Sequence, residues 1–156
     1  MPKITPFLWF DTQAEEAANF YVSVFPNSKI SAVMRMPESG PGPAGSVLTV
    51  AFELDGETFT ALNGGPQFKF DQAVSFVVPC KTQDEVDYYW DKLSEGGKTN
   101  VCGWTQDRYG LFWQVTPTRL IELVSSSDKA AASRAMAAMM KMTKIDIAKI
   151  EEAAAG

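Results

Sequence analysis

Apolar and polar positions along the chain form short segments of differing period. Ile4 to Phe10 is an apolar run rich in branched and aromatic residues, which predicts a buried strand. After Asp11 the apolar positions recur at helical spacing through Ala17, Phe20, Tyr21 and Val24, until Pro26 and Asn27 end the pattern. Phe20 and Tyr21 are read as core. Thr12 and Glu15 have the spacing of a capping box, the hydroxyl accepting from the Glu15 amide and the carboxylate reaching back to the Thr12 amide. Lys29 to Met36 and Val47 to Leu54 carry strand-like composition. Between them Pro37, Gly40, Pro41, Gly42, Pro43 and Gly45 propagate neither regular element, so this segment is expected to be a mobile loop. Asp55-Gly56 suits the positive φ angles of a type I′ hairpin turn and makes Glu57 to Asn63 the returning strand.

The same pattern then starts again. Thr12-Gln13-Ala14-Glu15 returns 70 residues on as Thr82-Gln83-Asp84-Glu85. Each copy follows an apolar run and leads into a helical stretch with carboxylates and aromatics. That offset is too long for a solenoid and suits a half-domain. After Gly64-Gly65-Pro66 the second copy predicts a strand from Ala73 to Val78 and a capped helix from Thr82 to Ser94, ended by Gly96-Gly97. Three strand candidates follow, Lys98 to Trp104, Leu111 to Thr116 and Arg119 to Ser125, with turns at Asp107 to Gly110 and Thr116 to Thr118. Beyond Ser127 the chain is rich in Ala, Met, Lys and Glu and favours helix. Asp128 caps one helix to about Met142, and Asp146 caps a shorter one after a break at Thr143 to Ile145. Met136, Met139, Met140 and either Ile147 or Ile150 give these helices an apolar face to pack on the body or on a second subunit. The architecture is α+β, with two tandem βαβββ modules at 1–66 and 67–125 and a helical tail at 126–156, all in one structural domain.

Composition narrows the chemistry. With 156 residues the chain is long enough to bury roughly 70% of its unfolded surface without a staple. A net charge of −5 argues against a nucleic-acid partner, whose affinity rests on clustered cations. The basic residues are scattered except for a loose group at Lys141, Lys144 and Lys149, too sparse for a polybasic membrane anchor. Neither an export signal nor a spanning apolar stretch is seen, so a cytoplasmic protein with Cys80 and Cys102 as free thiols is expected. The chain has no histidine. That removes Ser-His-Asp triads, Cys-His pairs and imidazole metal ligands. A general acid or base would have to be Asp, Glu, Lys, Tyr or Cys. Glu122, set among Leu120, Ile121, Leu123 and Val124, is the candidate, because apolar neighbours would raise its proton affinity.

The tandem βαβββ pattern, the helix-entry boxes and the turn Asp107-Arg108-Tyr109-Gly110 leading into Leu111-Phe112-Trp113-Gln114 resemble the vicinal-oxygen-chelate superfamily, the glyoxalase, bleomycin-resistance and extradiol-dioxygenase group. Glu15-Glu16-Ala17 through Phe20-Tyr21, Ala61-Leu62-Asn63-Gly64-Gly65-Pro66 and Cys102-Gly103-Trp104 are similar to its PhnB-like branch, labelled 3-demethylubiquinone-9 3-methyltransferase domain. The resemblance covers nearly the whole chain, including the tail at Lys144-Ile145-Asp146-Ile147. It implies two curved sheets facing one another around a cleft, with helices outside, and a homodimer. In the enzymes of the superfamily the cleft holds a divalent metal, on one side chain from the first and fourth strand of each unit.

This chain departs from that donor pattern. Pro6, Phe7 and Leu8 stand at the first site, Ala61, Leu62 and Asn63 at the second, Ala73, Val74 and Ser75 at the third and Gln114 at the fourth. No metal site is expected, since neutral amides do not replace imidazole and carboxylate ligands. The label's methyltransferase would need a glycine-rich turn after a parallel strand, whereas Gly40, Gly42 and Gly45 lie in a proline-broken loop. Trp9, Phe52, Trp104 and Phe112 are the aromatic candidates for ligand contact, and Asn63 and Gln114 the polar groups to orient a ligand. Alternation along the strand gives Phe112, Gln114 and Thr116 one face and Trp113 the other. The expectation is a PhnB-like, homodimeric protein binding a small organic ligand in its cleft, with no metal, cofactor, nucleic acid or membrane. The alternative is an enzyme of the superfamily, either a metal-dependent lyase or isomerase or the methyltransferase of the label.

Overall fold

A computed structural model describes residues 2–156. The chain divides into two compact units, one ending at Phe70 and the other running from Asp71 to Gly156, so that the tail belongs to the second.

The first unit contains β1 (Phe7–Phe10), α1 (Ala14–Val24), β2 (Lys29–Arg35), β3 (Val47–Leu54) and β4 (Glu57–Asn63). Its sheet has the order β1-β4-β3-β2, with β1 parallel to β4 and the other pairs antiparallel. Register places Leu8, Val50, Phe52, Phe59 and Ala61 on one face, and all are buried. On that face lies α1, whose buried alanines, Ala14, Ala17 and Ala18, permit close approach. Tyr21 stacks on Phe52 at 6.2 Å between ring centroids and Phe52 on Phe59 at 5.4 Å. Burial of each such ring contributes about 2 kcal/mol. Asp55 and Gly56 both have positive φ, 48° and 83°, as a type I′ turn requires. The segment expected to be mobile is closed by Met36 and Ser46, where the Met36 amide donates to the Ser46 carbonyl and the Gly45 amide to that of Met36.

The second unit repeats the wiring with β5 (Phe76–Cys80), α2 (Gln83–Ser94), β6 (Lys98–Thr99), β7 (Trp104–Gln106) and β8 (Phe112–Pro117), in the order β5-β8-β7-β6. Val86, Trp90 and Leu93 bury one face of α2, and Ser94 at its end is hydrogen-bonded to the buried Thr105 hydroxyl of β7. Two expectations are corrected here. The stretch Lys98 to Trp104 is not one strand, because Cys102 and Gly103 take positive φ (61° and 80°) and turn the chain between β6 and β7. The fourth strand of the unit is therefore β8, and Arg119 to Ser125 is not a strand. It forms α3 (Thr118–Val124), entered through Pro117, which has no amide hydrogen to lose at a helix start.

The tail adds α4 (Lys129–Met140) and α5 (Ile147–Ala155), capped as expected by Asp128 and Asp146, whose carboxylates accept from the amides of Ala131 and Lys149. With α3 these helices enclose a core of Leu120, Ala135, Ile145, Ile150 and Ala154, against which Met139 and Met142 pack. Met136 and Met140 stay exposed.

The segment between α4 and α5 is tied to the body of its own unit. The amides of Cys102 and Gly103 donate to the carbonyls of Met142 and Thr143, both at 2.8 Å. The Gln83 carboxamide donates to the Ile145 carbonyl and accepts from the Ile147 amide, at 3.0 and 2.9 Å. Lys144 pairs with Asp87 at 2.9 Å. Ile145 is buried beside Gly103, where a Cβ would lie 2.9 Å from the Val115 carbonyl and 3.1 Å from Ile145. Among the described residues no helix is long and apolar enough to cross a membrane.

Candidate functional site

Each sheet has one face packed by a helix and one without, and the side chains that resemblance singles out divide between them. In the second unit the turn Asp107 to Gly110 fixes the division. Asp107 is buried, its carboxylate accepting from the amides of Tyr109 and Leu111 and, at 2.8 Å, from the Trp113 indole N–H. A buried carboxylate bonded in this way is anchored rather than reactive. It holds Trp113 on the face that carries Thr105, Val78 and Val115, next to α2. The opposite face receives Phe112, Gln114 and Thr116, as the alternation requires. Trp104 lies directly across from Gln114, and Gln106 from Phe112. Gln114 donates its amide hydrogen to the Ser75 hydroxyl at 2.9 Å. Three candidate residues, Trp104, Phe112 and Gln114, are thus neighbours on one helix-free face, Trp104 and Gln114 partly exposed and Phe112 nearly buried.

In the first unit Trp9 is on the helix-free face, cross-strand from Leu62 and Thr49. Its indole N–H donates to the Gly65 carbonyl at 2.9 Å, and Phe68 meets the ring edge-on at 5.0 Å. Gly64 makes room for it, since a Cβ there would lie 2.3 Å from the indole. Phe52 and Asn63 are placed differently. Phe52 is wholly buried between Tyr21 and Phe59, and Asn63 spends its carboxamide on the Ala14 amide, at 2.8 Å, and on the Val47 carbonyl, at 3.1 Å. Both belong to the helix-covered face. The register makes Thr60, not Asn63, the counterpart of Gln114, because Phe7 pairs with Thr60 as Val77 pairs with Gln114. Parity with the apolar Phe59 and Ala61 was the available sign that Asn63 points to the helix.

Glu122 requires correction. It is on α3 rather than a strand, exposed, and bonded to Arg119 at 3.1 Å, while Arg119 also binds Glu151 at 3.0 Å. The apolar neighbours that made it a candidate are adjacent in sequence only, and a helix sends them to other faces. The two thiols are free. Burial, with the Glu85 charge nearby, pushes the Cys80 thiol up to about 12, which leaves it unreactive near neutrality.

The donor set does not fit a divalent metal. On the helix-free face Ser75, just before β5, meets Gln114 of β8 in one unit, and Phe7 of β1 meets Thr60 of β4 in the other, all neutral. Among the described residues no group of three or more His, Cys, Asp or Glu is placed to hold an ion.

The model of a family described as 3-demethylubiquinone-9 3-methyltransferase matches residues 2–116. The tail thus lies beyond it, which corrects the expectation that the resemblance extends through Lys144 to Ile147. A PhnB protein from Bacillus cereus with the same family description is 37% identical, with a TM-score of 0.69 and coverage of 75% of this chain and 100% of that one. Protein PA1353 from Pseudomonas aeruginosa is 20% identical, at a TM-score of 0.63, over 75% of this chain and 98% of its own. The fosfomycin resistance protein FosX from Listeria monocytogenes shares the fold alone, at 11% identity, a TM-score of 0.51 and coverage of 75% and 93%. No curated protein matches. The matched residues and the repeated βαβββ wiring place the chain in the PhnB-like 3-demethylubiquinone-9 3-methyltransferase family of the vicinal-oxygen-chelate superfamily.

Proposed function

We propose that the protein binds a small organic molecule with a planar apolar part, on the helix-free faces of its sheets and without a divalent metal, and that it works as a homodimer. The observation that carries this reading is the Ser75–Gln114 hydrogen bond beside Trp104. Where metalloenzymes of the superfamily would place charged or imidazole donors, two neutral groups satisfy each other. The Gln114 carboxamide oxygen has no partner among the described residues, so it is left to accept a hydrogen bond from a ligand whose flat part lies on the Trp104 ring. Trp9, gripped by Gly65 and Phe68, offers a second fixed aromatic surface.

A methyl transfer, as the family description names, finds less support. Gly40, Gly42 and Gly45 lie between the antiparallel β2 and β3, the first two against the Met36 side chain and Gly45 donating its amide to the Met36 carbonyl, rather than opening a helix after a parallel strand. The dimer is supported by large apolar side chains exposed on the helix-free faces, among them Phe7 (60%), Met34 (59%) and Val77 (55%).

Metal analysis of protein purified without chelator tests the central claim, and a stoichiometric bound metal would defeat it. Binding of an anilinonaphthalene dye should weaken at least tenfold in Gln114→Ala and Trp104→Ala and stay unchanged in Glu122→Gln. Sedimentation should show a dimer weakened by Phe7→Lys, since that side chain is 60% exposed on a helix-free face. Met139→Lys should lower stability instead, because Met139 packs on the tail core.

A further inference from the structure

The loose basic group of the tail is divided by the fold. Lys144 turns to Asp87, whereas Lys141 and Lys149 come together with Arg134 along a groove of about 530 Å³ between α4 and α5. Neither lysine has an acidic partner within ion-pair distance among the described residues, and the groove wall also carries the Glu152 side chain and the carboxylate of the last residue, Gly156. Ala137 and Ala153 line the groove as well, so its depth comes from side chains that are small. Arg134 is already oriented. Its guanidinium donates to the carbonyls of Ala153, at 3.0 Å, and Ala154, at 2.6 Å, which uses part of its donor fork and fixes the rest. A preset guanidinium has less freedom to lose on binding an anion than a free one.

This concentration of cations goes against the trend of the molecule. The chain carries −5 overall, and Lys3, Lys29, Arg108, Arg119 and Lys144 all pair with carboxylates. Three cations, set against the carboxylates of Glu152 and of the last residue, Gly156, leave a concavity of ligand size with an excess of positive charge on a molecule that is negative overall.

We propose that the α4–α5 groove is a binding site for a small phosphorylated molecule carrying a diphosphate or comparable polyanionic group. Arg134 supplies a directional fork, and Lys141 and Lys149 supply point charges along the same groove. Glu152 accepts from a hydroxyl on the remainder of the ligand. The site lies in the tail, apart from the helix-free face of β5 to β8, and stands or falls independently of the function proposed for that face.

Titration calorimetry of the full chain with inorganic pyrophosphate at low ionic strength tests it. Saturable one-to-one binding is expected, weakened at least tenfold by Lys141→Gln with Lys149→Gln and several-fold by Lys149→Gln alone, with unchanged thermal melting. Lys92→Gln with Lys98→Gln removes the same charge elsewhere and should alter binding less than twofold. Failure of pyrophosphate to bind overturns the proposal, as does an equal loss in the two double variants, which would mean diffuse attraction. Binding to vesicles containing phosphatidylserine without binding to pyrophosphate overturns it too, in favour of a lipid surface.

Discussion

The helices α1 and α2 begin with nearly the same tetrapeptide, yet their first turns are held by different means. In the second unit Thr82 caps its own helix, its hydroxyl accepting from the Glu85 amide at 3.1 Å, and the Glu85 carboxylate returns to the Lys81 amide at 2.8 Å. In the first unit the cap position falls on Gln13, Thr12 makes no capping bond, and the Ala14 amide is met by Asn63 from β4. The pairing of the strands explains this. Phe10 lies opposite Asn63, and the matching Cys80 lies opposite Pro117, which has no side-chain acceptor. Where the neighbouring strand ends in an amide the helix start is satisfied from across the sheet. Where it ends in proline the local threonine must do so. An identical motif therefore states where a helix begins without stating what secures it.

Variants can break this comparison. The largest expected effect is at the tail's anchor: Gly103→Ala puts a Cβ on a residue with φ of 80° and against the Val115 carbonyl, costing about 3 kcal/mol. Chemical denaturation should show it, and proteolysis should cut the released segment near Lys144. Next comes Asn63→Ala, which strips partners from the Ala14 amide and the Val47 carbonyl and should cost about 2 kcal/mol. Thr82→Ala should cost about 1 kcal/mol. Thr12→Ala should stay within about 0.5 kcal/mol, and equal losses for the two threonines would show that both boxes operate after all.

The smallest effect is at the Lys144–Asp87 pair. The hydrogen bond from Lys144, with that from Gln83, holds the Asp87 carboxyl below its usual 3.8, and the Asp87 partner raises the Lys144 ammonium above 10.5. The stabilisation is therefore present above pH 3.8 and below 10.5. It is lost as acid passes the lowered Asp87 value or as base passes the raised Lys144 value. Because both groups are partly exposed, Asp87→Asn should cost only about a few tenths of a kcal/mol at pH 7. In acid titrations the variant and the parent should begin to converge below pH 3.8 and meet once the lowered Asp87 value is passed.

Much of the first unit was legible. Asp55-Gly56 pins a turn, so β3 and β4 fall on the residues expected, and alternation gave the facing of Phe112, Gln114 and Trp113. Other features depend on partners far along the chain. Cys102 in a left-handed conformation is not a local preference, and it accompanies the hydrogen bonds that its amide and the next one donate to the tail carbonyls. Leu120, Leu123 and Val124 suit a strand or a helix equally until a core exists for them, and α4 and α5 supply it. The facing of Phe52 requires knowing where α1 lies. Gly64 looks like ordinary turn chemistry until the indole of Trp9 is seen against it.

Two of the bonds that seat Met142 to Ile147 run from main chain to main chain, so replacing Met142 or Thr143 would leave them in place. Shortening the protein after Lys141 would not. It would strand the peptide hydrogens of Cys102 and Gly103 and uncover the hollow that Ile145 fills, leaving an unfinished, adhesive patch on the second half. Expression trials that trim the chain to its family-matched portion should accordingly yield material that self-associates, and soluble preparations should need the appendage beyond residue 116.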